Sequence, residues 1–296
     1  MTKYLFFLGL LFLTTACKQN ADKQNQTSKV EKQNTFRLYS KNVLDTFSIS
    51  VNLPNDYNPQ QKEKYPVVYL LDANLYFDVL ATTINKYSEV GLAPSVILVG
   101  IGYKDFPTMD SLRTRDDTYP TAIPEYEMSL SGGADKFLSF ITDELSPKID
   151  KEYSVDTSKR VLMGHSLGGY FTAYAFLQQL KGRDNGFNSY IAASPSIHYN
   201  KYWLLNQLKA SSSSKTNQTK TNLYITYGGL EDAESQSDLS VMKLTDLTRQ
   251  LSTHLSVEKF GFLNFKTDIF SNLDHMDTQL PTFIKGLQWT VNEEIK

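Results

Sequence analysis

From Thr35 onward, short apolar runs alternate with amphipathic stretches. Phe36–Tyr39 and Phe47–Leu53 alternate apolar and polar residues, which predicts an antiparallel pair of strands at a sheet edge. Pro54–Pro59 closes that unit with turn residues. Pro66–Leu71 and Val96–Ile101 are continuous apolar runs, the pattern of central strands covered on both faces. Further strands are predicted over Val161–Met163, Ser189–Ala193, Leu223–Tyr227 and Phe265–Phe270. Helical stretches separate most of them: Leu75–Tyr87, Asp135–Leu145, Gly169–Leu180, Tyr202–Leu208, Leu239–Leu255 and Thr278–Asn292. Strands alternating with helices predict an α/β fold, a mainly parallel central sheet with helices on both faces.

The ends of the chain read differently. Lys3, the apolar block Tyr4–Leu13 and the small residues Thr14-Thr15-Ala16 form an export-type leader ending at Cys17. The arrangement resembles a bacterial lipoprotein signal, which implies lipidation of Cys17 and an exported, membrane-anchored protein on the periplasmic or surface side of a cell envelope. Lys18–Asn34 is almost wholly polar and is expected to be a flexible tether, since it has too little apolar surface to offset the entropy of ordering. The expected organisation is therefore a signal segment over 1–17, a tether over 18–34 and one α/β domain over 35–296. Ser211–Asn222 is a second polar stretch, expected to be a solvated loop.

The chain has 296 residues and a formal net charge of -2. That near-neutral balance argues against nucleic acid as a partner, because phosphate binding requires a basic face. Cys17 is the single cysteine, so no internal disulfide forms. No run approaches the roughly 20 apolar residues that span a bilayer.

Candidate chemistry starts at Gly164-His165-Ser166-Leu167-Gly168, a G-x-S-x-G between a predicted strand and a predicted helix. In that setting it is a nucleophile elbow: the turn is too tight for side chains at 164 and 168, and it exposes the Ser166 hydroxyl. The N–H of Leu167, at the start of the helix, would supply half of an oxyanion hole. The second donor is expected from the loop after the first central strand, Asp72-Ala73-Asn74, as the N–H of Asn74.

A serine hydroxyl needs a base, and the base needs an acid to orient it. In this architecture they follow in the order Ser, Asp or Glu, His. Gly228-Gly229-Leu230-Glu231-Asp232 places two carboxylates after the fifth central strand, and His275 follows the last strand. His165 lies inside the elbow, His198 in a loop and His254 on a helix, so His275 is the expected base. The residues alone leave Glu231 and Asp232 open as the acid.

Several segments together resemble the esterase family that includes esterase D and the enterochelin (siderophore) esterases. They are Tyr65–Asp72, Arg113–Asp116, Gly132–Leu138 with Phe140-Ile141, Glu144-Leu145, Gly164–Gly169, Ser194-Pro195-Ser196 and Asp274-His275, in family order. The resemblance implies an α/β-hydrolase fold and serine-dependent cleavage of carboxylic esters, siderophore-type small molecules among them, with no metal or cofactor. It implies Ser166 as nucleophile, His275 as base and Glu231, in a Gly-x-x-Glu turn, as the acid. It also implies one departure, Ala73 where the family has glycine. Arg113 and Arg115 are candidate contacts for an anionic substrate, with pairing to Asp116 and Asp117 as the other reading. Two alternatives stand beside the leading one: a carbohydrate esterase acting on feruloyl or acetyl groups, and a binding protein that kept the fold without the activity.

Overall fold

The computed structural model describes residues 33–212, 219–234, 241–256 and 259–291. The signal segment, most of the tether and Cys17 lie outside the described residues. Among those described, no helix is long and apolar enough to cross a membrane.

Eight strands form one sheet: β1 (Gln33–Ser40), β2 (Asp45–Asn52), β3 (Tyr65–Leu70), β4 (Ile97–Gly102), β5 (Val155–His165), β6 (Ser189–Ala193), β7 (Thr221–Gly228) and β8 (Leu263–Phe270). Their order is β1-β2-β4-β3-β5-β6-β7-β8. β1 and β2 pair antiparallel, β2 joins β4 antiparallel, and every later pairing is parallel. The expected edge pair is therefore present, and it starts two residues early: Gln33 and Asn34, assigned to the tether, pair with Asn52 and Val51. The polar stretch ending at Asn222 likewise gives up Thr221 and Asn222 to β7.

The period of two along each strand divides the core. Val67, Tyr69 and Leu71 face one layer, where they meet Phe171, Tyr174 and Phe176 of α5 (Leu167–Leu180). Val68 and Leu70 face the other, against Phe77, Leu80 and Ile84 of α1 (Ala73–Glu89) and Phe283 and Leu287 of α9 (Gln279–Thr290). Helix α5 is apolar on all sides and almost wholly buried, as a helix pressed between sheet and outer layer must be.

Three local features depart from the sequence reading. Phe106–Asp117 forms a helix, α2, capped by Asp105, whose carboxylate takes the Thr108 N–H at 2.9 Å. The stretch expected as one helix over 135–145 is α3 (Ala134–Ser139), a π-helical turn over Phe140–Leu145, and then α4 (Ser146–Glu152). Helix α6 (Tyr199–Ala210) opens with a left-handed turn, with φ of 48°, 53° and 62° at Asn200, Lys201 and Tyr202. Asn200 holds that turn by accepting the Ile123 N–H at 3.0 Å and donating to the Thr121 carbonyl at 2.9 Å. α7 (Glu231–Glu234) and α8 (Leu244–His254) complete the set.

Candidate active site

β5 ends at His165 and α5 begins at Leu167, so the whole change of direction falls on Ser166, with φ 59° and ψ -116°. A Cβ on Gly164 would collide with the Gly168 main chain, and one on Gly168 would lie 3.0 Å from a carboxylate oxygen of Asp72. Both glycines are thus required by close approach. The strained serine stands at the carboxyl end of the central strands, where open α/β sheets place their sites.

Two further loops rise at the same edge. Gly228 and Gly229 follow β7 and pack against the loop after β8: Gly229 N–H bonds the Phe270 carbonyl at 2.8 Å and Leu230 N–H the Leu273 carbonyl at 3.1 Å. A side chain at 228 would strike the Leu273 carbonyl. In the β8 loop Asp274 accepts the N–H groups of Met276 and Asp277 at 2.8 and 3.1 Å, an Asx turn that fixes the main chain on either side of His275.

The result is a line of three groups. His275 Nε2 stands 3.0 Å from Ser166 Oγ, and His275 Nδ1 stands 2.9 Å from Glu231 Oε2. A carboxylate only accepts, so Nδ1 carries the proton and Nε2 is left bare to receive the Ser166 hydroxyl. Burial pushes the Glu231 carboxyl up, yet hydrogen bonds from His275, from the Ser194 hydroxyl and from the Gly228 N–H together hold it below the ordinary glutamate range. The last two reach Oε1 at 2.6 Å each. Asp232 turns elsewhere and takes the N–H of Leu244 at 2.8 Å, where it caps α8. Of the two adjacent carboxylates, it is Glu231 that reaches the His275 ring.

Leu167 is the first residue of α5, and Asn74 lies in the first turn of α1; the two helix starts follow neighbouring strands, β5 and β3. The Asn74 side chain exchanges hydrogen bonds with the main chain of Tyr103 at 2.7 and 3.1 Å. The Ala73 methyl packs over Gly100 of β4, where a second Cβ would come within 2.8 Å.

Arg113 and Arg115, the candidate contacts for an anion, are both ion-paired within the protein. Arg113 Nε and Nη2 bond the two Asp72 oxygens at 3.0 and 2.7 Å, and Nη2 lies 3.4 Å from the His165 carbonyl. Arg115 pairs with Asp116 at 2.8 Å and with Asp45 at 2.9 Å. Both guanidinium groups are thus engaged by carboxylates of the protein itself. The pairing of the other reading is present, Arg115 with Asp116 and Arg113 with Asp117 at 4.0 Å, but those acids are buried; of the partners only Asp45 is partly exposed. Asp72, Asp116 and Asp117 are all under 4% exposed, and desolvation drives Asp117 far above the normal carboxylate range.

The Ser194-Pro195-Ser196 segment, which carried only the resemblance, has a role at both ends. Ser194 braces Glu231, and Thr278 Oγ1 lies 2.8 Å from Ser194 Oγ. Ser196 Oγ lies 3.4 Å from Ser166 Oγ, and its N–H bonds the Ser166 carbonyl at 3.1 Å. Position in the chain was the available signal, since this loop follows β6 at the same sheet edge. A cavity of about 310 Å³ opens beside the line, walled by Ser196, Tyr202, Tyr227, Met242, Leu247 and His275. Among the described residues no cluster of side chains suits a metal ion.

Comparison with known proteins decides the family. The family model described as "Putative esterase" matches residues 40–263. The chain belongs to this esterase family. It is a carboxylic-ester hydrolase of the α/β-hydrolase fold. The ferri-bacillibactin esterase BesA of Bacillus subtilis (strain 168) is 35% identical over 232 residues, spanning 74% of this chain and 76% of BesA. The siderophore triacetylfusarinine C esterase of Aspergillus fumigatus is 28% identical over 207 residues, 67% of this chain and 68% of that enzyme. Among solved structures, the BES protein from Bacillus cereus superposes with a TM-score of 0.72 at 26% identity, covering 93% of this chain and 98% of its own.

Proposed function

We propose that this esterase cleaves siderophore-type esters through Ser166, His275 and Glu231. The single observation that carries the residue roles is the unbroken hydrogen-bonded line from Ser166 Oγ to Glu231. In this reading His275 Nε2 takes the Ser166 proton as Oγ attacks the ester carbonyl. The N–H groups of Leu167 and Asn74 hold the oxyanion, and His275 returns the proton to the departing alcohol. His275 then draws a proton from water, which attacks the acyl-enzyme, and passes that proton to Ser166 Oγ as the acyl bond breaks and the acid leaves. Glu231 stays ionised and balances the imidazolium that forms twice per cycle. The substrate class is supported by the names of the two relatives, both siderophore esterases. Those names favour it over a carbohydrate ester, and the assembled line disfavours a binding protein without activity.

Turnover of ferri-bacillibactin, triacetylfusarinine C and a feruloyl polysaccharide ester, followed by product mass, tests the reading. A kcat/KM at least ~100-fold higher on one of the siderophores than on the feruloyl ester is the expected result. The reverse ranking would move the enzyme to carbohydrate esters.

The leader supports a further part of the proposal: the enzyme is exported and anchored through lipid on Cys17. Multiple acyl chains at one residue hold a protein stably at a membrane. Incorporation of labelled palmitate, lost in Cys17→Ala, is the expected outcome. Incorporation that survives the substitution would remove the anchor.

A further inference from the structure

His165 precedes the nucleophile and is 1% exposed. Neither the triad nor the oxyanion donors use it. Its ring nevertheless has both nitrogens engaged. Nε2 lies 2.7 Å from the main-chain oxygen of His275, and Nδ1 lies 3.0 Å from the Tyr76 hydroxyl. A carbonyl oxygen only accepts, so Nε2 carries the proton; Nδ1 is then bare and the Tyr76 hydroxyl donates to it. Both partners are kept neutral: burial and then the neighbouring His275 ring hold His165 down at about 4, and burial holds the Tyr76 phenol up at about 12. The His165 and His275 ring centroids are 4.7 Å apart.

We propose that His165 is a positioning residue for the base, its Nε2–H fixing the main chain of His275 relative to the elbow that carries Ser166. This rests on the triad reading. The two catalytic loops are 109 residues apart in sequence at the Ser166–His275 contact, and this bond ties them directly: the residue before the nucleophile holds the residue that activates it. The Thr278 hydroxyl lies 3.1 Å from the same oxygen, but its single proton also serves Ser194 Oγ at 2.8 Å, whose own proton goes to Glu231, so the His165 Nε2–H is the full bond to this carbonyl. The fixed tautomer matters for charge as well as position. His275 becomes cationic during each half-reaction, and a second imidazolium 4.7 Å away would oppose it. Tyr76 supplies the donor that a neutral ring with this tautomer requires.

Two amide variants separate position from bulk. His165→Gln can place a donor where Nε2 stands; His165→Asn places its amide at Nδ1 and leaves the carbonyl unmet. The readout is the rate at which a fluorophosphonate labels Ser166, beside kcat and KM on a soluble ester. His165→Gln is expected to stay within about threefold of the wild type. His165→Asn is expected to lose about 10–100-fold in labelling rate and kcat at unchanged KM, as for a base displaced by a fraction of an ångström. Tyr76→Phe, which removes the donor to Nδ1, is expected to lose about tenfold or less. Equal rates for the Gln and Asn variants would overturn the proposal, as would an Asn variant as fast as the wild type. A wild type that does not label at all would instead overturn the triad reading, and this inference with it.

Discussion

Arg113 holds both oxygens of Asp72 in two parallel hydrogen bonds, 3.0 and 2.7 Å long. The pair joins α2 to the end of β3, so it locks the turn that starts α1 close to the elbow. Arg113→Met would leave the Asp72 carboxylate buried without its partner, a change that costs about 3–5 kcal/mol. A drop of that size in urea unfolding is the expected outcome. The ratio of KM values for an anionic and a neutral ester should not change in whatever folded Arg113→Met protein remains; a selective rise for the anion would return Arg113 to substrate binding.

Glu231 and Asp232 should separate cleanly. Glu231→Gln keeps the shape but loses the charge that balances the imidazolium, and a fall in kcat of about 10²–10⁴ is expected. Asp232→Ala removes the cap on Leu244 N–H and should cost about 1 kcal/mol of stability with kcat nearly unchanged. Steady-state kinetics with unfolding curves check both. A larger kcat loss in Asp232→Ala than in Glu231→Gln would reassign the acid.

Ser196 sits beside the nucleophile at 3.4 Å. As charge builds on Ser166 Oγ, its hydroxyl can shorten that contact and donate. Ser196→Ala is expected to lower kcat/KM up to about tenfold, the worth of one neutral hydrogen bond, with little change in unfolding midpoint. Activity equal to the wild type would make Ser196 a packing residue.

Stability should fall as the solution is acidified through the His165 window. The folded ring is held at about 4, while an unfolded histidine titrates near 6.5, so between those values the unfolded chain binds the extra proton. This stabilisation is complete above the unfolded value and is lost as pH drops toward the folded one. With the ring almost fully buried, the window amounts to about 3 kcal/mol. Asp117, Asp72, Arg113, Tyr76 and His275 lie nearby in both proteins compared, so the difference between wild type and His165→Gln isolates the ring. That difference should shrink by about 3 kcal/mol from pH 7 to pH 4; a pH-independent difference would contradict the assignment.

The central strands were legible because parallel strands buried on both faces leave unbroken apolar runs, as in Pro66–Leu71 and Val96–Ile101. The elbow was legible because its glycines follow from the tightness of the turn, and the histidine loop because of its place in the chain order. Helix α2 was not. Of its residues only Met109, Asp116 and Asp117 are buried, and two buried acids reverse the pattern by which a helix face is recognised. For the same reason the inward turn of Arg113 and Arg115 could not be read: charge in a sequence does not say whether its partner is solvent or a buried carboxylate. The π-turn at Phe140–Leu145 changes hydrogen-bond register without changing composition. The left-handed turn at Asn200–Tyr202 depends on Asn200 reaching residues 121 and 123, a contact that no local pattern contains.

The central claim is that Ser166 is the nucleophile, activated by His275. Its most direct measurement is peptide mass mapping after reaction with a fluorophosphonate, in wild type, Ser166→Ala and His275→Ala. The account predicts one adduct on Ser166 in the wild type, none in Ser166→Ala, and labelling in His275→Ala slowed by about 10³-fold or more. An adduct on another serine, or ester turnover undiminished in Ser166→Ala, would contradict it.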